Sequence, residues 1–175
     1  YDNVQGTSYF AAMDLDGEGA SLPLTMSFMG IDIAGYSNLA FSAMIAEDDD
    51  GSNEDWDAPD FVTIQYQIDG NGYNNLMAFA NDGSTYNSAP YMDTNFDGIG
   101  DGFELTDVFT ELGAAISGTG NLLDLKITFQ LNSGDEDIAF DNIMVTGTSA
   151  VPVPGAFLLL GSGVIGLAGI GRRKK

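Results

Sequence analysis

The sequence predicts an all-β domain, an antiparallel β-sandwich, followed by a C-terminal hydrophobic helix. Residues 122–132, LLDLKITFQLN, carry the first observation: Leu123, Leu125, Ile127, Phe129 and Leu131 fall on one side, and Asp124, Lys126, Thr128, Gln130 and Asn132 on the other. Alternation with a period of two marks a strand with one face in a core. The second observation is punctuation by Asp16-Gly17, Asp50-Gly51-Ser52-Asn53, Asp69-Gly70-Asn71-Gly72, Asn81-Asp82-Gly83-Ser84 and Asn132-Ser133-Gly134-Asp135. In such stretches Gly supplies positive φ, and Asn or Asp tolerates it. The third is a break in composition at Ser149, beyond which an uncharged run extends from Val151 through Gly171 to four cations.

In chain order, residues 22–32 and 37–46 alternate loosely. Val62, Ile64, Tyr66 and Ile68 alternate strictly against Thr63, Gln65, Gln67 and Asp69, and residues 74–80 and 138–146 alternate loosely again. About seven to nine short strands separated by turns give the rhythm of a sandwich. Residues 106–112 have two readings: a short helix capped by Thr106 with Val108, Phe109 and Leu112 inward, or an irregular strand. No repeat of a length that would build a solenoid is visible. Residues 1–148 are enough for one domain with its own core and too few for two. After them come a Pro-containing linker at 149–154, the apolar segment 155–171 and a basic stop at 172–175. The chain opens on Tyr1 with no charged and apolar leader, as expected of a processed product or a fragment whose export signal lay upstream.

Charge excludes whole classes of function. The chain has 26 Asp or Glu, five Lys or Arg, no His and no Cys, for a formal charge of -21. Of the five bases only Lys126 precedes the tail. Such a body repels phosphate and lacks the Lys and Arg that neutralise it, so nucleic acid is excluded as a partner. Without imidazole or thiol there is no zinc or iron–sulfur site, no thiolate nucleophile and no disulfide. Carboxylates remain.

The tail has three ordered parts: Val151-Pro152-Val153-Pro154, a Leu- and Gly-rich span containing Leu159-Leu160-Gly161-Ser162-Gly163, and Arg172-Arg173-Lys174-Lys175. As a helix, residues 155–171 would span roughly 26 Å, just short of a 30 Å hydrocarbon core. The cations would stay cytoplasmic and the acidic body outside. These parts resemble the PEP-CTERM sorting signal of Gram-negative bacteria, with Val153 where a Glu usually stands between the prolines. The resemblance implies export, retention in the membrane, and recognition near the Pro motif by an exosortase, a membrane transpeptidase of organisms that build extracellular polysaccharide.

Asp93-Thr-Asn95-Phe-Asp97-Gly98-Ile99-Gly-Asp101-Gly-Phe-Glu104 matches the calcium-loop pattern D-x-[DN]-x-[DN]-G-x5-E. Asp93, Asn95 and Asp97 would turn inward and Gly98 would bend the chain. The Ile99 carbonyl, Asp101 through water and a bidentate Glu104 would complete an oxygen shell around calcium. The alternative is an acidic turn that binds nothing. Residues 47–60, EDDDGSNEDWDAPD, hold eight acids in 14 positions, either a solvated loop or a cation site.

An acidic turn containing Asp14 and Asp16, the mid-chain acidic loop and the closing strand IAFDNIMVTG are similar to bacterial jelly-roll modules of the carbohydrate-binding type. That resemblance implies a jelly-roll order of strands. It also implies a structural calcium held by Asp14 or Asp16 with Glu47 and Asp141.

Trp56, Tyr73 and Tyr91 sit in or beside turns, where their rings would either stack on sugars or cover the rim of the sandwich. The Glu residues lie almost all in acidic turns, and none forms an inward pair of the kind a glycosidase needs. The chain is therefore expected to be noncatalytic. The sequence points to an exported, calcium-stabilised binding protein of the cell surface or extracellular matrix. A self-assembling structural matrix protein is the alternative, and a carboxylate glycosidase ranks third. The full chain should fractionate with membranes, whereas a chain ending at Ala150 should remain in the soluble fraction; equal solubility of the two would remove the membrane assignment.

Overall fold

A computed structural model describes residues 1–17, 19–48, 56–83 and 88–149. The Val151–Pro154 motif, the apolar segment 155–171 and the cations at 172–175 lie outside the described residues. Among those described, the protein is all-β, two antiparallel sheets packed as a sandwich, and no helix is long and apolar enough to cross a membrane.

The strands are β1 (Phe10–Met13), β2 (Leu24–Asp32), β3 (Tyr36–Ala46), β4 (Phe61–Ile68), β5 (Asn74–Ala80), β6 (Tyr91–Met92), β7 (Thr110–Ala115), β8 (Leu122–Gln130) and β9 (Asp137–Ser149). One sheet has the order β1-β9-β3-β7 and the other β2-β8-β4-β5-β6, so the chain changes sheet at every connection between these strands except β4–β5 and β5–β6. The core lies between them. Val62, Ile64, Tyr66 and Ile68 of β4 and Leu123, Leu125, Ile127 and Phe129 of β8 meet Leu39, Phe41, Ala43 and Ile45 of β3 and Ile138 and Phe140 of β9. The alternating residues of β4 and β8 are thus placed as their period of two requires.

Residues 106–112 form no helix: Thr110 to Leu112 belong to β7, and Val108 makes an isolated bridge with Asp2. Phe109 is buried and Val108 exposed, and the alternation continues along β7, where Glu111, Gly113 and Ala115 are exposed. Backbone pairing with β3 holds residues 110–115 extended. On β9 the inward phase changes from Ile138 and Phe140 to Ile143 and Val145, because the register with β3 slips between Ser42 and Met44. Asn142, at φ 47°, sits in the extra residue of this bulge.

Candidate functional site

A groove of about 450 Å³ lies on the face of the five-stranded sheet that points away from the core. Its floor comes from the outward phase of β4, Thr63 and Gln65, and from their partners on β5, Ala78 and Asn75. Gln65 Nε2 donates to Asn75 Oδ1 at 2.8 Å. Alanine at positions 78 and 80 leaves room that a larger side chain would fill. One wall is the segment from Asp57 to Phe61, and the other is the turn carrying Asp93, Phe96 and Gly98. The Phe96 ring is half-exposed there.

The second wall is the predicted calcium loop. Asp93, nearly fully buried, accepts the amides of Phe96 (2.6 Å) and Asp97 (3.2 Å) through Oδ1, and that of Gly98 (2.8 Å) through Oδ2. Gly98, at φ 88°, makes the sharp bend. Asn95 Oδ1 accepts from the Asp97 amide at 2.9 Å, and Asp97 Oδ1 accepts from the Ile99 amide at 3.0 Å. The amide and hydroxyl of Thr94 bind Asp101 and hold its carboxyl below the usual range. Glu104 turns to the Tyr91 hydroxyl; burial and this hydrogen bond raise Tyr91. The donor set has the hard-oxygen chemistry of calcium. In this arrangement the oxygens serve the loop's own amides, and among the described residues no group of three or more carboxylates converges on one point.

The second predicted set is divided. Met13 pairs with Asp137 and Ala46 lies opposite Ala139, so Asp14 and Glu47 follow strands that end at the same edge of the four-stranded sheet as Asp137. Asp16 is exposed in the same turn as Asp14. Asp141 is opposite Met44, farther along β9, and accepts the Gln5 amide at 2.8 Å. The register therefore sets Asp137, not Asp141, beside the ends of β1 and β3. Asp137 accepts from the Tyr1 hydroxyl and from the Asp48 amide at 3.0 Å. Burial raises Asp137 and, with the Asp137 contact, raises Tyr1.

Trp56 is 0% exposed, which removes its ring from any sugar-stacking platform. Its indole donates to the Asp137 carbonyl at 3.2 Å, while its own carbonyl accepts from Ser88 at 3.1 Å and Asn81 Nδ2 at 3.2 Å. Its ring pins the start of β9 to the segment ahead of β4. Tyr73 keeps a partly exposed ring, with Lys126 Nζ 4.2 Å from its centroid. Tyr91, half-buried, is engaged by Glu104.

Sequence reasoning missed the pair Asp60 and Glu136, each 3% exposed. Asp60 is in phase with Val62 and Ile64, and Glu136 with Ile138 and Phe140, so extending each alternation one step backward finds both. Glu136 Oε2 accepts the amides of Asn132 and, at 2.9 Å, Ser133. Asp60 accepts from the Asp57 amide at 2.7 Å and Asn132 Nδ2 at 3.2 Å, and the two carboxyls hydrogen-bond each other. Burial raises both. In Glu136 the two amides oppose it and the Asp60 charge reinforces it, leaving the group pushed up to about 7.

Comparison with known proteins finds no family model that matches the chain and no curated protein that matches it.

A group raised in the folded state adds stability that is complete below its unfolded pKa and is lost as pH rises through the folded one. For Glu136 that window runs from the ordinary 4.5 to about 7. Wild type should lose on the order of 2 kcal/mol across it. Glu136→Gln supplies a permanent amide donor to Asp60 and should flatten this part of the melting-temperature profile. An unchanged slope in the variant would show that the pair does not hold the shared proton.

Proposed function

We propose that the chain is a noncatalytic, calcium-stabilised binding module of the cell surface or extracellular matrix, and that its ligand is a polyhydroxylated chain such as an extracellular polysaccharide. The observation that carries this reading is the groove over β4 and β5. Its floor offers amide and hydroxyl groups, its walls offer carboxylates as acceptors for ligand hydroxyls, and Phe96 offers an apolar ring at the rim. Asp57 and Asp93 make the groove acidic, which favours neutral or amino sugars over acidic ones. The order β1-β9-β3-β7 against β2-β8-β4-β5-β6 supports a jelly-roll reading of the sandwich. Fold alone does not give a ligand.

Calcium belongs to the same reading. The Asp93–Glu104 loop forms one wall, and a cation on Asp93, Asn95, Asp97, the Ile99 carbonyl, Asp101 and Glu104 would hold that wall while relieving charge repulsion. The PEP-CTERM-like tail supports export from a Gram-negative cell, a C-terminal hydrophobic helix in the membrane before processing, and an exosortase as processing partner.

Titration of a panel of neutral, amino and acidic oligosaccharides, with calcium and with chelator, tests both parts. A neutral or amino sugar should bind, and Gln65→Ala and Phe96→Ala should each weaken it about tenfold, or about 1.4 kcal/mol. Calcium at 100 times its dissociation constant should add roughly 2.7 kcal/mol of stability. Replacing Asp93, Asp97 and Glu104 by Asn, Asn and Gln should abolish that gain, and sodium at matched ionic strength should not reproduce it. No sugar binding in either condition would overturn the ligand assignment, and equal stabilisation by sodium would overturn the metal.

A further inference from the structure

We infer that the Asp60–Glu136 pair is a proton-operated latch on the first wall of the groove: while the two carboxyls share a proton the wall is held against the sandwich, and loss of that proton releases it.

The wall has a single tether. Trp56, wholly buried, fixes one end of the segment, and Phe61, paired with Ala80 and Gln130, fixes the other. Residues 57–60 between them belong to no strand. The Asp60 amide donates to the Asp57 carbonyl at 2.8 Å and the Asp57 amide to Asp60 Oδ2 at 2.7 Å, so these bonds close the turn on itself. Among the described residues, the hydrogen bonds that join positions 57–60 to the rest of the molecule all run through the Asp60 carboxyl, to Glu136 and to Asn132 Nδ2 at 3.2 Å. The facing turn is anchored without the pair: the amides of Asp14 and Leu15 donate to the carbonyls of Ser133 and Leu131, each at 3.0 Å. When the pair parts, the 57–60 turn is therefore the side that moves. Ala58 and Pro59 are exposed and line the groove with Asp57, so outward motion meets water and widens the groove.

The charged groups around the pair are all acids. Asp57 acts on it from the wall's own turn. Asp135 and Asp137 flank Glu136, with Asp137 turned to Tyr1 and the Asp48 amide, and Glu47 and Asp48 follow β3 next to the start of β9. Asp14 meets the facing turn through its amide. Lys126, the one base before the tail, lies over Tyr73. The pair thus has a proton to separate its charges and no side-chain cation. Burial, with the Asp60 charge added to it, outweighs the two amides on Glu136 and pushes it up to about 7. With the wall open both carboxyls meet water and return to ordinary values. Opening therefore releases a proton, gains as pH rises from 4.5 to about 7, and is level above that. A ligand seated against this wall is held in the acid state and let go as the wall opens, a consequence that rests on the reading of the groove as a binding site.

The test is residue-resolved hydrogen exchange, which needs no ligand, so its failure and the failure of sugar binding are told apart. The full chain is followed in nonionic detergent from about pH 4.5 to 8, with each rate corrected for the intrinsic pH dependence of an open amide. Protection of the Asp57 and Asp60 amides should fall by at least about tenfold between 4.5 and about 7 and then level off. The Phe96 and Gly98 amides of the other wall, held by Asp93, should keep theirs. In Glu136→Gln the side-chain oxygen can accept the Asn132 and Ser133 amides while its NH2 donates to Asp60, so the Asp57 and Asp60 amides should stay equally protected over the whole range. Level protection in wild type overturns the inference, whether or not the variant folds. A fall of the same size in Glu136→Gln overturns it by removing the pair as the cause. So does protection of Asp57 and Asp60 equal to that of the core amides of Ile64 and Ile127 at every pH, which would mean that the wall opens only when the molecule unfolds.

Discussion

The structure depends on hydrogen bonds from backbone amides to carboxylates, because the body has almost no cations to serve them. Lys126 is the lone base before the tail, and its ammonium lies over Tyr73. The donors available to the acids are therefore main-chain N–H groups and neutral side chains such as Tyr1, Gln67, Thr94 and Asn132, and such charge-assisted bonds are stronger than neutral ones. Asp69 takes the amides of Asn121 (3.0 Å) and Leu122 (2.9 Å), fixing the end of β4 to the start of β8. Asp124 fixes the bulge of β2, Asp141 fixes the segment ahead of β1, and Asp137 fixes the exit from β3. Each bond joins parts of the chain that are distant in sequence. The acids thus hold connections to strands, a task that surface ion pairs perform weakly in most proteins.

The same logic explains how two carboxyls come to lie at one end of the core. Asp60 enters β4 in one sheet and Glu136 enters β9 in the other, so their contact bridges the sandwich. Two buried carboxylates at hydrogen-bond distance repel unless one keeps its proton, and a shared proton turns the repulsion into a bond. Asp57, whose amide binds Asp60, is the further acid facing the pair, and Asn132 is its amide donor from the opposite turn. This pair and Trp56 fix the segment that forms the first wall of the groove. The geometry of the groove is therefore set from inside the sandwich and not by the exposed loops alone.

The strands were legible because a core between two sheets imposes alternation directly on the sequence. Where the alternation was strict, as in β4 and β8, the assignment held to within a residue or two. The 106–112 segment was ambiguous because Val108, Phe109 and Leu112 suit one helical face, and only pairing of β7 with β3 decides between the readings. The break in phase between Phe140 and Ile143 is a bulge whose extra residue is Asn142. Trp56 looked like a loop aromatic because its neighbours are acidic, yet a flanking acidic run does not keep an indole out of a core. The groove itself left little trace. Its floor uses Thr63, Ala78 and Ala80, residues without chemical signature, and its walls depend on which turns pack over β5.

Burial decides how each acidic cluster is neutralised. Asp60 and Glu136 are closed off from water, so a bare charge is costly there and a proton is the small cation that fits. The Asp93–Glu104 loop sits at the surface, where Asn95, Asp97 and Asp101 are open to solvent, and there a hydrated divalent ion can approach without paying for entry into the core. Acids on the strands are met as those in the turns are: Asp32 of β2, Asp124 of β8, and Asp137 and Asp141 of β9 each accept a main-chain amide.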